Sequence, residues 1–185
     1  MRVSGGELRS REIPSPRGVA VRPTPGRVRE ALFSILGERI AGARVLDLYA
    51  GTGAIGFEAL SRGAAHVTFV ERHAGTAQTI RATARTFAVD ARATVICAAA
   101  EMATRRIEGR IDVVYADPPY ALPPPHASFE NLRARETIDT ETTVVYEHRS
   151  DAPGFVSPFF PTTRENVYGE VTLQFMHVLP RSVRP

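Results

Sequence analysis

Residues 44–71 read "RVLDLYAGTGAIGFEALSRGAAHVTFVE". An apolar run meets three glycines (Gly51, Gly53, Gly56), then a helix-patterned stretch, then a second apolar run ending in Glu71. Few folds accept that order. Glycines between a strand and a helix let the backbone turn sharply and approach a ligand closely. An acid at the end of the second strand, 20 residues after Gly51, sits where a ribose's two hydroxyls are held in doubly wound sheets.

The rest of the chain continues the alternation. Val28, Ala31, Leu32, Ile35 and Leu36 repeat at helical spacing after Thr24, which offers an N-cap, and Pro25, which fits a first helical turn. Beyond residue 71 the pattern predicts a helix over 73–87, strand "ATVIC", a helix over 99–106 and strand "IDVVYA". A helix over 129–135, strand "TTVVYEH" and two closing β-runs over 163–168 and 171–178 follow, the last pair reading as an antiparallel hairpin. Such alternation implies an α/β fold with a mostly parallel sheet between helices. At the front, "MRVSGGELRSREI" reads as a short hairpin turning at Gly5-Gly6. Residues 1–23 are therefore expected to form a basic arm and linker, and residues 24–185 the main domain.

Charge is unevenly distributed along the chain. Residues 1–29 carry seven of the 23 arginines and sum to +5, while the remainder sums to −2. A basic arm on a near-neutral body is a footprint for a polyanion. No apolar run approaches the roughly 18 residues of a membrane span, and the arginines of the N-terminus have no apolar core behind them as a secretory signal would. The single cysteine, Cys97, excludes a zinc cluster of paired cysteines and suits a reducing cytoplasm. Cys97 is expected as a small core residue of its strand. His66 and His73, flanking the second strand, are expected at the surface.

"ADPPY", residues 116–120, ends the fourth expected parallel strand. Prolines cannot continue a ladder, so the strand must stop there, at the edge where such sheets bind ligands. An exocyclic base amine is a poor nucleophile because its lone pair is conjugated into the ring. Acceptors around its N–H groups can localise that lone pair. Asp117 supplies a carboxylate and Pro118 a carbonyl, Pro118 and Pro119 stiffen the backbone, and Tyr120 offers a face for an unstacked base. Two cofactor classes share the glycine frame. A carboxylate at Asp47 would repel a pyrophosphate but attract the amino and sulfonium end of S-adenosylmethionine, which favours that cofactor over a nicotinamide.

These stretches together resemble the RsmD family of bacterial 16S ribosomal RNA guanine-N2 methyltransferases. "RVSGGELRSR", "RPTPGRVREALFSIL", "LDLYAGTGAIGFEALSRGA", "FVE", "ADPPY" and "YGEVTLQF" match it in order along nearly the whole chain. The resemblance implies a class I S-adenosylmethionine-dependent methyltransferase (Rossmann-like) fold, with a seven-stranded mostly parallel sheet, helices on both faces and an N-terminal hairpin arm. It implies that Thr24, Asp47, Gly51, Gly53 and Glu71 hold the cofactor and that Asp117, Pro118, Pro119 and Tyr120 hold the guanine amine. Arg2, Arg9, Arg11 and Arg22 of the arm are the candidate RNA contacts. The implied substrate is guanine-966 of 16S rRNA on the small (30S) subunit or an assembly intermediate, acted on by a cytoplasmic monomer without a metal. One departure stands out: the acid the family carries after its third strand is Ala99 here, and Glu101 is the candidate replacement one turn on.

Three other readings have distinct signatures. A DNA amine would satisfy "DPPY" equally, although the short chain shows no second domain for reading DNA sequence. A nicotinamide oxidoreductase would leave Asp47 and "DPPY" unexplained. A binding module without turnover would transfer no methyl group.

Overall fold

The computed structural model describes residues 1–15 and 25–182. Thr24 and Arg22 lie outside the described residues. The elements in chain order are α1 (Gly26–Leu36), β1 (Arg44–Leu48), α2 (Ala54–Ser61), β2 (His66–Glu71), α3 (Ala74–Thr86) and β3 (Ala93–Cys97). They continue with α4 (Ala100–Thr104), β4 (Val113–Ala116), α5 (His126–Ala134), β5 (Thr143–Arg149), β6 (Thr162–Tyr168) and β7 (Val171–His177). The seven strands form one sheet in the order β3-β2-β1-β4-β5-β7-β6. The first five in that order run parallel, and β7 pairs antiparallel with both β5 and β6.

The pleat sorts the core into two layers. Val45, Phe69, Val113, Tyr115 and Val145 face α1, α2 and α3, whereas Leu46, Leu48, Val70, Val114, Ala116 and Val144 face α4 and α5. Strands covered on both faces need continuous apolar runs, which is why β1, β2 and β4 are visible in the sequence. The order reverses between β1 and β4, the crevice where open α/β sheets take ligands.

Two expected boundaries differ for local reasons. Helix α5 begins at His126 rather than Phe129, directly after Pro123–Pro125, because Pro125 can precede a helix but cannot extend a strand. The N-terminal segment makes a single antiparallel bridge, Arg2 to Glu12, with the Val3 amide donating to the Arg11 carbonyl at 3.0 Å. Its connection is wider than a two-residue turn at Gly5-Gly6. Gly6, at φ +76°, serves instead to let the chain pass the end of α2, since a Cβ there would sit 1.8 Å from the Ser61 carbonyl oxygen.

Docking of this segment is polar as well as apolar. Val3, Leu8 and Ile13 are buried in the α1–α3 layer. Glu58, fully buried on α2, accepts the amides of Ser4 (2.8 Å) and Gly5 (2.9 Å) and the Ser4 hydroxyl (2.7 Å), and pairs with Arg62 (2.8 Å) and buried Arg29 (3.3 Å). α2 is consequently buried on every side.

Candidate active site

The carboxyl ends of the parallel strands open into a cavity of about 760 Å³, within the range of pockets that enclose whole ligands. Its wall follows the sheet edge. Glu71 ends β2, Tyr49 and Gly51 follow β1, Asp117 to Tyr120 follow β4, Glu147 lies near the end of β5, and Val171 begins β7. The loop after β3, with Ala99, and Glu101 in the first turn of α4 close the far end. One cavity therefore gathers the ribose-type acid and the "DPPY" motif.

The glycine loop is pre-organised by carboxylates. Glu71 accepts the Gly51 amide at 3.0 Å and the His73 amide at 2.7 Å. Asp47 accepts the Gly56 amide at 3.0 Å, and the Gly53 amide donates to the Ala50 carbonyl at 2.7 Å. Gly56 itself lets α2 lie on β2, because a Cβ there would meet the Phe69 ring at 2.1 Å. A pyrophosphate site needs such amides pointing at its oxygens. Here two carboxylates already take them, so the loop suits a cofactor whose amino, sulfonium and ribose groups seek acceptors.

Asp47 is placed differently from the sequence expectation. It is 1% exposed and does not line the cavity. The pleat puts it with Val45, on the α2 side, beneath the loop. Burial pushes its carboxyl up to about 7, the Gly56 amide works in the opposite direction, and the Glu71 charge adds to the rise. Gly53 likewise stays off the cavity wall, as the residue preceding α2 in a left-handed conformation. Both shape the loop from behind, whereas Gly51 and Glu71 face the cavity.

At the "DPPY" end, Pro118 is buried and Pro119 and Tyr120 are exposed. The Arg149 guanidinium lies 5.5 Å from the Tyr120 ring centre and is clasped by both Asp151 oxygens at 2.6 and 2.7 Å. Tyr120 therefore stands as a braced aromatic face at the cavity mouth. Glu101, exposed on α4, pairs with Arg105 at 3.1 Å, so its carboxylate is steered at the cavity's edge.

Several cavity residues carried no signal in the sequence. Tyr49 adopts φ +66°, unusual for a bulky residue, and its hydroxyl is hydrogen-bonded to Ser128 of α5, with burial pushing its pKa up. Glu147 accepts the Tyr115 hydroxyl inside the wall. His73 is exposed as expected but also lines the cavity. Cys97 corrects the core expectation. It is exposed, because β3 is an edge strand. Among the described residues, no group of three or more His, Cys, Asp or Glu side chains is arranged to hold a metal ion, and no helix is long and apolar enough to cross a membrane.

The arm's arginines divide. Arg11 donates to the Thr86 carbonyl at 2.7 Å and lies over Phe87, binding the arm to α3. Arg2 donates to the Ser10 carbonyl and lies 3.8 Å from Glu12. Arg9 is exposed.

Comparison with known proteins agrees with this geometry. The family model described as "Conserved hypothetical protein 95" matches residues 1–177. A Bacillus subtilis protein named "Putative rRNA methyltransferase YlbH" is 32% identical over 174 residues, 91% of this chain and 94% of that protein. "Ribosomal RNA small subunit methyltransferase D" of Escherichia coli is 40% identical over 121 residues, 65% of this chain and 60% of that protein. The solved structure "Putative methyltransferase yhhF from Escherichia coli" superposes with a TM-score of 0.86 at 29% identity, covering 98% of this chain and 99% of that one. Cavity, loop and kinship converge: the chain belongs to the RsmD family and is an S-adenosylmethionine-dependent methyltransferase.

Proposed function

We propose that this chain methylates the exocyclic N2 amine of a guanine in 16S ribosomal RNA, at guanine-966, on the small subunit or an assembly intermediate. The observation that carries the reading is the shared cavity: Asp117–Tyr120 and Gly51–Glu71 open into the same space. The relatives named as ribosomal RNA methyltransferases support an RNA acceptor, and the family resemblance of the "DPPY" and arm motifs supports guanine and its position. We further assign the arm, residues 1–23, to RNA docking through Arg2, Arg9, Arg11 and Arg22, and the protein to the cytoplasm as a monomer.

Bound S-adenosylmethionine supplies an electrophilic methyl group on a sulfonium. Glu71 and Gly51 hold the ribose side of this cofactor, and Glu101 lies toward the end where Ala99 replaces the family's acid. Asp117 and the Pro118 carbonyl accept the two N2–H groups, which turns the nitrogen lone pair out of conjugation. Two prolines keep those acceptors from rearranging as charge develops, so no reorganisation is needed during the reaction. Tyr120 stacks the unstacked base. After transfer the amine carries one proton too many, and Asp117 is the nearest carboxylate of the motif to receive it.

Mass mapping of ribosomal RNA from a strain lacking this chain tests the proposal. Loss of one N2-methylguanine from 16S RNA, restored by the intact gene, is expected. Unchanged ribosomal RNA with lost N6-methyladenine or N4-methylcytosine in DNA would assign the same chemistry to DNA instead.

A further inference from the structure

Glu147 is a buried carboxylate that the proposed function leaves without a role. It is 4% exposed, yet it lines the cavity that contains Asp117. Burying a carboxylate is costly unless donors surround it. One donor is the Tyr115 hydroxyl, itself buried, which bonds Glu147 Oε2 and fixes the side chain.

The sheet defines where Glu147 points relative to the motif. Ala116 of β4 pairs with Tyr146 of β5, so Asp117 and Glu147 come next in register on strands about 4.8 Å apart. Alternation puts Tyr115, Val145 and Glu147 on one face of the sheet, and Asp117 follows directly on the end of β4. Along the edge the order is Glu71, Gly51, Asp117, Glu147. Glu147 thus lies beyond Asp117 from the ribose acid, on the side left for the acceptor base.

Base chemistry gives that position a meaning. Guanine presents two neighbouring donors, N1–H and the N2 amine. Adenine and cytosine present a lone pair on the ring nitrogen beside their amine. A carboxylate only accepts hydrogen bonds. Resting on the guanine-N2 reading above, we infer that Glu147 selects guanine by accepting its N1–H while Asp117 accepts an N2–H. Tyr115 acts through Glu147 as a positioning residue. Adenine or cytosine would set a ring lone pair against the carboxylate and lose both the hydrogen bond and the alignment of the amine.

The test uses reconstituted small subunits that carry either guanine or 2-aminopurine at the acceptor position located by mass mapping. 2-Aminopurine keeps the 2-amino group but offers a lone pair at N1. Wild-type protein is expected to prefer guanine by on the order of 10⁴-fold in kcat/KM, as sites built to bond one polar group reject the analogue lacking it. In Glu147→Gln the amide can donate, so the preference for guanine should collapse or invert while S-adenosylhomocysteine affinity stays within a few-fold. Tyr115→Phe should narrow the preference about tenfold without changing cofactor affinity. An unchanged guanine to 2-aminopurine ratio in Glu147→Gln would overturn the inference. 2-Aminopurine also lacks the 6-oxo group, so the change of ratio in a variant is what decides. If Glu147→Gln fails to fold, Tyr115→Phe takes its place, and a ratio unchanged from wild type, or a wild-type ratio near one, overturns the inference. Absence of transfer to either base by wild-type protein would instead overturn the guanine-N2 reading beneath it.

Discussion

Asp47 and Gly56 are nine residues apart in the chain and 3.0 Å apart in space, the Asp47 carboxylate accepting the Gly56 amide from inside β1. This bond ties the first parallel strand to the third glycine of the motif, in the first turn of α2. It supports the loop from a buried position off the cavity wall.

That position carries a pH signature. The Asp47 pKa rises from 3.8 to about 7, chiefly by burial. The folded chain therefore keeps a proton that the unfolded chain has released over this interval. Stability should be fullest below the unfolded value and decline as pH rises through about 7. At roughly 1.4 kcal/mol per unit, this one group can remove a few kcal/mol between the unfolded value of 3.8 and about 7, with no further loss above it. Asp47→Asn, which still offers the Gly56 amide an oxygen, should flatten the slope in denaturant melts. Equal slopes in both proteins would refute the role given to this carboxyl.

Glu58 predicts the opposite dependence. Burial alone would raise its pKa, but the Ser4 amide and hydroxyl and Arg62 more than offset it, leaving it below 4.5. Its contribution is present above the unfolded value and is lost as pH falls through the lower folded one. Glu58→Gln leaves Arg29 buried without its charge partner, a loss on the order of 3–5 kcal/mol. Faster hydrogen exchange at the Ser4 and Gly5 amides would report release of the arm. Unaltered exchange and melting would show that the apolar contacts of Val3, Leu8 and Ile13 suffice alone.

The arm's arginines should separate into two behaviours. Arg11→Ala removes a hydrogen bond and a ring contact to α3, and should lower the melting temperature by a few degrees. Arg9→Ala should leave melting unchanged, weaken RNA binding and reduce the salt slope of log Kd by about one. If Arg9→Ala left both affinity and slope intact, the exposed arginine would be a solvated residue and not a phosphate contact.

What the sequence made legible follows from covering. β1, β2 and β4 are buried on both faces, so their apolar runs stand out, and the acid and prolines that end them mark the sheet edge. Side-chain direction was less visible. Asp47 on a strand can face a ligand or a neighbouring amide, and only the pleat against α2 decides. Nothing local in "AIGFEALS" says that the arm will cover Glu58. Cys97 looks like a core residue because local pattern does not say that β3 lies at the sheet's edge. Glu147 is inconspicuous in "VVYEH", since its importance comes from pairing β5 beside β4, a neighbour 30 residues away in sequence. Strand order is a long-range property, and so are the residues whose roles depend on it.

The role proposed for Asp117 is to aim the amine at the methyl donor. Its most direct test is methyl transfer by Asp117→Ala from labelled S-adenosylmethionine to undermethylated small subunits, measured beside S-adenosylhomocysteine binding. Transfer should fall by three orders of magnitude or so, the scale of removing a pre-organised polar group from a reacting centre, with cofactor affinity kept within a few-fold. Turnover that survives the substitution, or a loss explained entirely by failure to bind the cofactor, would contradict it.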